Sequence, residues 1–252
     1  MWIVANGALK SGSTWIFQIL TATGAFRRLP ERFQDPRWQN PSVAQKHVAE
    51  AADFLCAAPQ SYISKQHWAD RNAGLAARPG IRIVNIIRDI RDMVVSRYHH
   101  DVRTFGYQGG ISAYLETNLE KLIRENVAYH AYWMDAGTAA PGSYYITAYE
   151  YLTDDYLTAG HALADFCTTG LAPAKIEAAL EANRFENKKV TGPGAFFRKG
   201  RAFAFGDDLT EAEAGRILAL ARDAGLPQVK ERIAGFNPAL RPWLERTDCG
   251  LA

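Results

Sequence analysis

Lys10-Ser11-Gly12-Ser13-Thr14-Trp15, directly after the apolar run Met1-Trp2-Ile3-Val4-Ala5, predicts a strand, a tight turn and a helix that opens at Ser13. A helix starting there aims unpaired backbone N–H groups and the positive end of its dipole into the turn, which therefore suits an anion. Gly12 lets the backbone approach a phosphate closely, Ser11, Ser13 and Thr14 add hydroxyl donors, and Lys10 adds a mobile positive charge. The turn is not a Walker A box, because Gly7 and Gly12 enclose the lysine and no lysine follows the second glycine. A plain helix-capping turn has the same composition, so this segment needs company before it means phosphate.

Two further segments supply it. Ile81-Arg82-Ile83-Val84-Asn85-Ile86-Ile87 is a buried-strand pattern that runs into Arg88-Asp89-Ile90-Arg91-Asp92 and a helix. Arg88 falls at the carboxyl end of that strand, where open parallel sheets bind ligands, and Ser96 lies two turns down the helix. The plainer reading pairs Arg88, Asp89, Arg91 and Asp92 with one another on a solvated first turn. The other segment, Phe196-Phe197-Arg198-Lys199-Gly200, follows Gly192-Pro193-Gly194 and precedes Gly206, which predicts a loop carrying two adjacent cations.

In order and spacing, these three segments resemble the PAPS-dependent sulfotransferase family of cytosolic type, with its P-loop-like fold. Lys10 to Trp15 is similar to the family's 5′-phosphosulfate loop, Arg88 to Ser96 to its 3′-phosphate motif, and Arg198-Lys199-Gly200 to its late Arg-Lys-Gly. Ser64-Lys65-Gln66-His67 resembles its Lys-Thr-His strand, and Tyr149-Glu150-Tyr151-Leu152 its Tyr-Glu-Asp-Leu. The resemblance runs from residue 1 to about residue 210. It departs at Ala8-Leu9, where the family has an aromatic-proline pair, and at Ile90, where it has proline. It departs again at Arg201-Ala202-Phe203-Ala204-Phe205, which lengthens the loop and displaces the family's Gly-Asp-Trp to Gly206-Asp207-Asp208.

The resemblance implies an α/β fold with a central parallel sheet flanked by helices, of the P-loop NTPase-like sulfotransferase kind. It implies 3′-phosphoadenosine 5′-phosphosulfate (PAPS) as donor, 3′,5′-adenosine bisphosphate (PAP) as product, no required metal, and a small-molecule or glycan acceptor. Lys10 and the turn through Trp15 would hold the 5′ end. Arg88, Ser96, Arg198, Lys199 and Gly200 would hold the 3′-phosphate, for which arginine forks are well shaped. Tyr149 at a strand end, with Asn183 and Phe185, would lie against the nucleotide.

Sulfuryl transfer needs in-line positioning, neutralised leaving-group charge and removal of the acceptor's proton. Alternation along a strand from Tyr62 to His67 puts Lys65 and His67 on one face. An imidazole titrating near neutrality suits a general base, which nominates His67, with Lys65 and Lys10 steadying charge on the bridging oxygen. His99 and His100 stand next, although capping of a helix C-terminus is their ordinary use.

Composition sets the limits. At 252 residues and 48% hydrophobic content the chain can bury a full core, and one domain over residues 1–252 is expected. A net charge of +2 is too small to argue for nucleic acid or a membrane surface. Cys56, Cys167 and Cys249 share no metal or disulfide spacing, no apolar run approaches a membrane span, and the first residues already read as a core strand. A cytoplasmic location is therefore expected. A monomer is expected too, because the family's dimerisation motif is not recognisable around Leu209 to Arg216.

Further strands are predicted at Tyr62 to Gln66 and Ser143 to Ala148. Helices are predicted at Ser13 to Ala25, Asp89 to Tyr98, Ile111 to Trp133, Asp154 to Cys167, Pro173 to Asn183 and Thr210 to Ala224. Arg27 to Ser42 and Asp101 to Gly110 read as long surface loops able to wall an acceptor site. Trp68, Phe105, Tyr107, Tyr129, Tyr132 and Trp133 are either that wall or plain core. The rival chemistry is a small-metabolite kinase using ATP and magnesium, with Asp89 as the metal carboxylate. The non-enzymatic rival is a bisphosphate-binding protein without a base.

Overall fold

The expected parallel sheet forms, from β1 (Trp2–Ala5), β2 (Arg27–Arg28), β3 (Tyr62–Lys65), β4 (Ile81–Ile87) and β5 (Tyr144–Ala148). Their order is β2-β3-β1-β4-β5 and every neighbouring pair is parallel. The computed structural model describes residues 1–38, 40–168, 170–184, 187 and 201–246. All of β1 and β3 is buried, and all of β4 except Arg82. Burial on both faces is why these strands read as continuous apolar runs rather than alternating ones.

Strand order reverses around β1, which lies between β3 and β4. Register places Ala5 opposite both Lys65 and Val84, so the segments leaving β1, β3 and β4 emerge together at one edge. A switch point of this kind leaves a crevice beyond the carboxyl ends of the strands. The sheet ends at β2, two exposed arginines long, a short charged edge that discourages further pairing.

Helices cover the sheet: α1 (Ser13–Ala22), α2 (Val48–Ala57), α3 (Ile90–Phe105), α4 (Ile111–Ala139), α5 (Tyr149–Asp154), α6 (Tyr156–Cys167), α7 (Pro173–Ala182), α8 (Glu211–Asp223), α9 (Leu226–Phe236) and α10 (Arg241–Arg246). Helix α1 stops three residues short of the predicted Ala25, because the Thr23 hydroxyl bonds back to the Leu20 carbonyl and Gly24 turns to φ 70°. Helix α3 runs past Tyr98 to Phe105 and is ended by Gly106 at φ 69°. The expected loop from Asp101 therefore shrinks to the residues after Phe105. Helix α4 continues beyond Trp133 to Ala139, since no proline interrupts it before Pro141. Thr210 caps α8 in a reciprocal capping box with Glu213.

The segment expected as a surface loop from Arg27 to Ser42 instead buries Leu29 and Phe33, and the Ser42 hydroxyl donates to the Lys65 carbonyl at 2.6 Å. It thereby brings Trp38 to the sheet's ligand edge. Trp68, Tyr129 and Trp133 belong to the core rather than to an acceptor wall. Trp133 Nε1 donates to the Trp68 carbonyl, and the Tyr129 hydroxyl to Asn85 Oδ1. Among the described residues, no helix is long and apolar enough to cross a membrane.

Candidate active site

The turn after β1 is built to leave donors pointing outward. Ser11 is buried, and both its amide and its hydroxyl bond to the Ala8 carbonyl, so its side chain fixes the turn rather than facing the crevice. Lys10 takes φ 72° and Gly12 φ 116°. A Cβ on Gly12 would lie 2.9 Å from Tyr149 Cδ2, so only glycine suits both the dihedral and the space. The amides of Gly12, Ser13 and Thr14 have no acceptor among the described residues, and the first turn of α1 carries no acidic side chain. That is a cradle for an anion at a helix N-terminus.

Trp15 ties this turn to two distant segments. Its Nε1 donates to the Asn183 carbonyl at 2.8 Å, and its ring centroid lies 5.4 Å from that of Tyr149. Tyr149 opens α5 straight after β5, and the Arg88 guanidinium lies over its ring at 4.1 Å. Asn183 contributes its backbone here, while its side-chain amide donates to Ala179 in its own helix.

Arg88 leaves the end of β4 and is held by Asp92 at 3.3 Å. Its Nε is buried with no hydrogen-bond partner among the described residues. A buried donor on a permanent cation is costly when unmet, so the group fits an incoming phosphate oxygen. Asp89 turns inward instead, capping α3 through the Arg91 and Asp92 amides and pairing with Arg91 at 2.7 Å. Its own amide is held by the Glu150 carboxyl, which burial pushes up to about 7. The sequence reading of ion pairs within this turn was right about partners and wrong about solvent: Asp89, Arg91 and Asp92 are all buried. Asp89 is fully engaged by these bonds, which removes the carboxylate that the kinase alternative requires. Among the described residues no three His, Cys, Asp or Glu side chains converge as a metal site.

His67 lies two residues beyond β3 and meets Lys65 as alternation predicts. Lys65 Nζ is 2.6 Å from His67 Nε2, and His67 Nδ1 is 2.7 Å from the Gly7 carbonyl. A carbonyl only accepts, so Nδ1 carries the proton and Nε2 keeps a lone pair, to which the lysine donates. Asn6 sets this arrangement by clamping Trp68: its Oδ1 accepts from the Trp68 amide and its Nδ2 donates to the Trp68 carbonyl. Burial and the Lys65 ammonium drive His67 down to about 3, which corrects the expectation of an imidazole titrating near neutrality. Lys65 is lowered to about 8 by burial, and Lys10 to about 8 by burial and then by Arg103, Arg88 and Lys65. Trp38, half exposed, stands 6.0 Å from the His67 ring.

Lys10, the turn through Trp15, Lys65, His67, Arg88 and Tyr149 thus gather at one edge of the sheet. Ser96 sits half-buried on α3, one turn beyond Asp92 on the same face. His99 and His100 are within α3 rather than at its end. His99 bonds Asp208 at 2.7 Å, and burial lowers His100 to about 4. Phe185, Arg198, Lys199 and Gly200 lie outside the described residues. Of the aromatic stretch 201–205, Phe205 is buried beneath the Arg91 guanidinium at 4.0 Å. Sequence reasoning missed Asn6 and Trp38 and gave Glu150 no role of its own, since what they do depends on partners up to 62 residues away.

A family model described as the sulfotransferase domain matches residues 2–224. No curated protein sequence matches the chain. Among solved structures, a retinol dehydratase in complex with androsterone and inactive cofactor PAP is 17% identical, with TM-score 0.63 over 88% of this chain and 80% of that one. A mouse sulfotransferase complexed with PAP is 13% identical, with TM-score 0.66 over 97% and 88%. A sulfotransferase from Alicyclobacillus acidocaldarius is 13% identical, with TM-score 0.52 over 92% and 94%.

Proposed function

The chain belongs to the sulfotransferase-domain family, and from that premise we propose that residues 1–252 act as one domain moving a sulfuryl group from PAPS to an acceptor hydroxyl or amine. The observation that carries the detail is the meeting of Lys65 and His67 beside the turn of Lys10 and its cradle of amides, with the buried Arg88 fork close by. The PAP held by two structural relatives supports the same donor. When bound, PAPS supplies an activated sulfuryl group on a bisphosphate leaving group.

In this reading the amides of Gly12 to Thr14 and the Lys10 ammonium take the 5′ end, while Trp15 and Tyr149 wall it. Arg88, through its unmet Nε, takes the 3′-phosphate with Ser96, joined by Arg198, Lys199 and Gly200; Asn183 and Phe185 border the nucleotide. His67 Nε2 accepts the acceptor's proton once Lys65 swings from it toward the new anion. Neutralising the two lysines also relieves the repulsion that holds the imidazolium down, so His67 becomes more basic when the donor site is filled. Its Nδ1–H, anchored on Gly7, keeps the ring aimed and steadies the imidazolium that forms.

Two results test the donor half. Arg88→Ala weakens PAP binding by about 1.5–3 kcal/mol, the scale of a lost charge-assisted hydrogen bond, as read by calorimetry. Affinity equal to that of the parent contradicts the pocket. The lysines give a pH dependence whose sign is fixed: they are cationic below about 8 and lose charge above it. PAP affinity therefore falls by roughly tenfold or more from about pH 7 to about pH 10. A constant or rising affinity over that range shows that Lys10 and Lys65 do not hold the anion.

A further inference from the structure

The hydrogen-bond ladder between β1 and β3 ends in a way that bears on His67. Tyr62 N donates to the Met1 carbonyl at 2.8 Å, and Gln66 N to the Ala5 carbonyl at 2.9 Å. Rungs of a parallel pair are evenly spaced, so in this register the next would run from Trp68 N to the Gly7 carbonyl. The Trp68 amide goes elsewhere: it donates to the side-chain oxygen of Asn6 at 2.9 Å. The Gly7 carbonyl is thereby left to His67 Nδ1, 2.7 Å away.

Asn6 can stand in for the missing rung because it is held from the other side. It is fully buried, and its own amide donates to the Val84 carbonyl of β4 at 2.8 Å. Its Nδ2 reaches the Trp68 carbonyl at 3.3 Å, which also takes Trp133 Nε1 at 2.8 Å. The Trp68 ring stands edge-on to Trp2, with centroids 5.5 Å apart. The residue after His67 is thus fixed at its amide, its carbonyl and its ring. Gly7 is packed against the anion turn, where a Cβ would lie 2.7 Å from Ser11 Oγ, so the carbonyl that receives the imidazole comes from backbone with no room for a side chain.

Resting on the reading of His67 as the base, we infer that Asn6 is a positioning residue for it: by taking the Trp68 amide, Asn6 reserves the Gly7 carbonyl for Nδ1–H. The ring is then held with its Nε2 lone pair free for the acceptor's proton, since the bond made by one ring nitrogen decides the state of the other. Without the Asn6 oxygen a buried amide loses its acceptor, and the Gly7 carbonyl can serve it only in competition with the imidazole. The effect is confined to the base, because among the described residues the Asn6 side chain bonds Trp68 and no part of the donor cradle.

The test is proton–nitrogen NMR of the protein isotope-labelled at histidine nitrogen, with the His67 signal identified by its loss in His67→Ala. The parent shows the Nδ1–H form, and that proton exchanges slowly with water. Asn6→Ala speeds its exchange by about tenfold or more while PAP affinity stays within about twofold. Asn6→Asp, which keeps the accepting oxygen and is protonated once buried, restores slow exchange. Asn6→Ser, polar but too short to reach the Trp68 amide, takes the place of Asn6→Ala if that variant does not fold. The Nε2–H form in the parent overturns the inference, as does exchange in Asn6→Ala as slow as the parent's or exchange in Asn6→Asp as fast as in Asn6→Ala. A loss of PAP affinity alongside the faster exchange also overturns it, by making Asn6 a support of the whole turn. Unchanged turnover in His67→Ala instead removes the base reading alone, because the exchange comparison needs no turnover.

Discussion

His67→Ala lowers kcat by about two to four orders of magnitude and leaves PAP affinity within about twofold. The split follows from where the ring sits. Its Nδ1 is committed to Gly7 and its Nε2 to Lys65, so nothing in its bonding serves the phosphate cradle. Removing it takes away the lone pair that receives the acceptor's proton, while the turn amides, Lys10 and Arg88 stay in place. Loss of the imidazole also frees Lys65 to lean wholly on the anion, which offsets any small loss of order nearby. Unchanged turnover would remove His67 from the mechanism. A fall in PAP affinity matching the fall in turnover would make it a donor-site residue instead.

Arg91→Ala destabilises the fold by about 3–5 kcal/mol, read as a shift of the chemical unfolding midpoint. Arg91 is buried and makes two side-chain bonds to the equally buried Asp89, with the Phe205 ring stacked at 4.0 Å. Truncation leaves the Asp89 carboxylate in the interior with only the α3 amides for company, which is the costly way to break a buried pair. Replacing both partners, Arg91→Leu with Asp89→Asn, recovers much of the loss, because no uncompensated charge then remains. An unfolding curve for Arg91→Ala that overlays the parent's would mean that this pair does not anchor α3. The consequence reaches function, since the same cap positions Arg88 and Asp92.

How much of this was legible in the sequence depends on how local its cause was. The strands β1, β3, β4 and β5 announced themselves, because burial on both faces forces unbroken apolar runs. The anion turn was legible because glycine and hydroxyl residues at a helix start have few other uses in that order. Lys65 facing His67 followed from strand alternation, although His67 itself sits past the strand's end. Its depressed basicity was not legible: the cause is burial beside Lys65 and Lys10, and burial is a property of the assembled site. The length of α3 was missed because Arg97 to Thr104 shows no apolar periodicity, the buried residues of the helix ending at Val95. The inward turn of Asp89 was hidden for a related reason, since Glu150, which holds its amide, arrives from 61 residues away. Trp38 could not be placed at all, because its position depends on Ser42 bonding the end of β3.

The most direct measurement of the central claim is calorimetric titration of the protein with PAP, alongside ATP with magnesium and 5′-AMP. The account predicts tight binding of PAP alone, without need of a divalent cation, since two separate cationic pockets match its two anionic ends. Preference for ATP with magnesium, or equal binding of 5′-AMP and PAP, would contradict it.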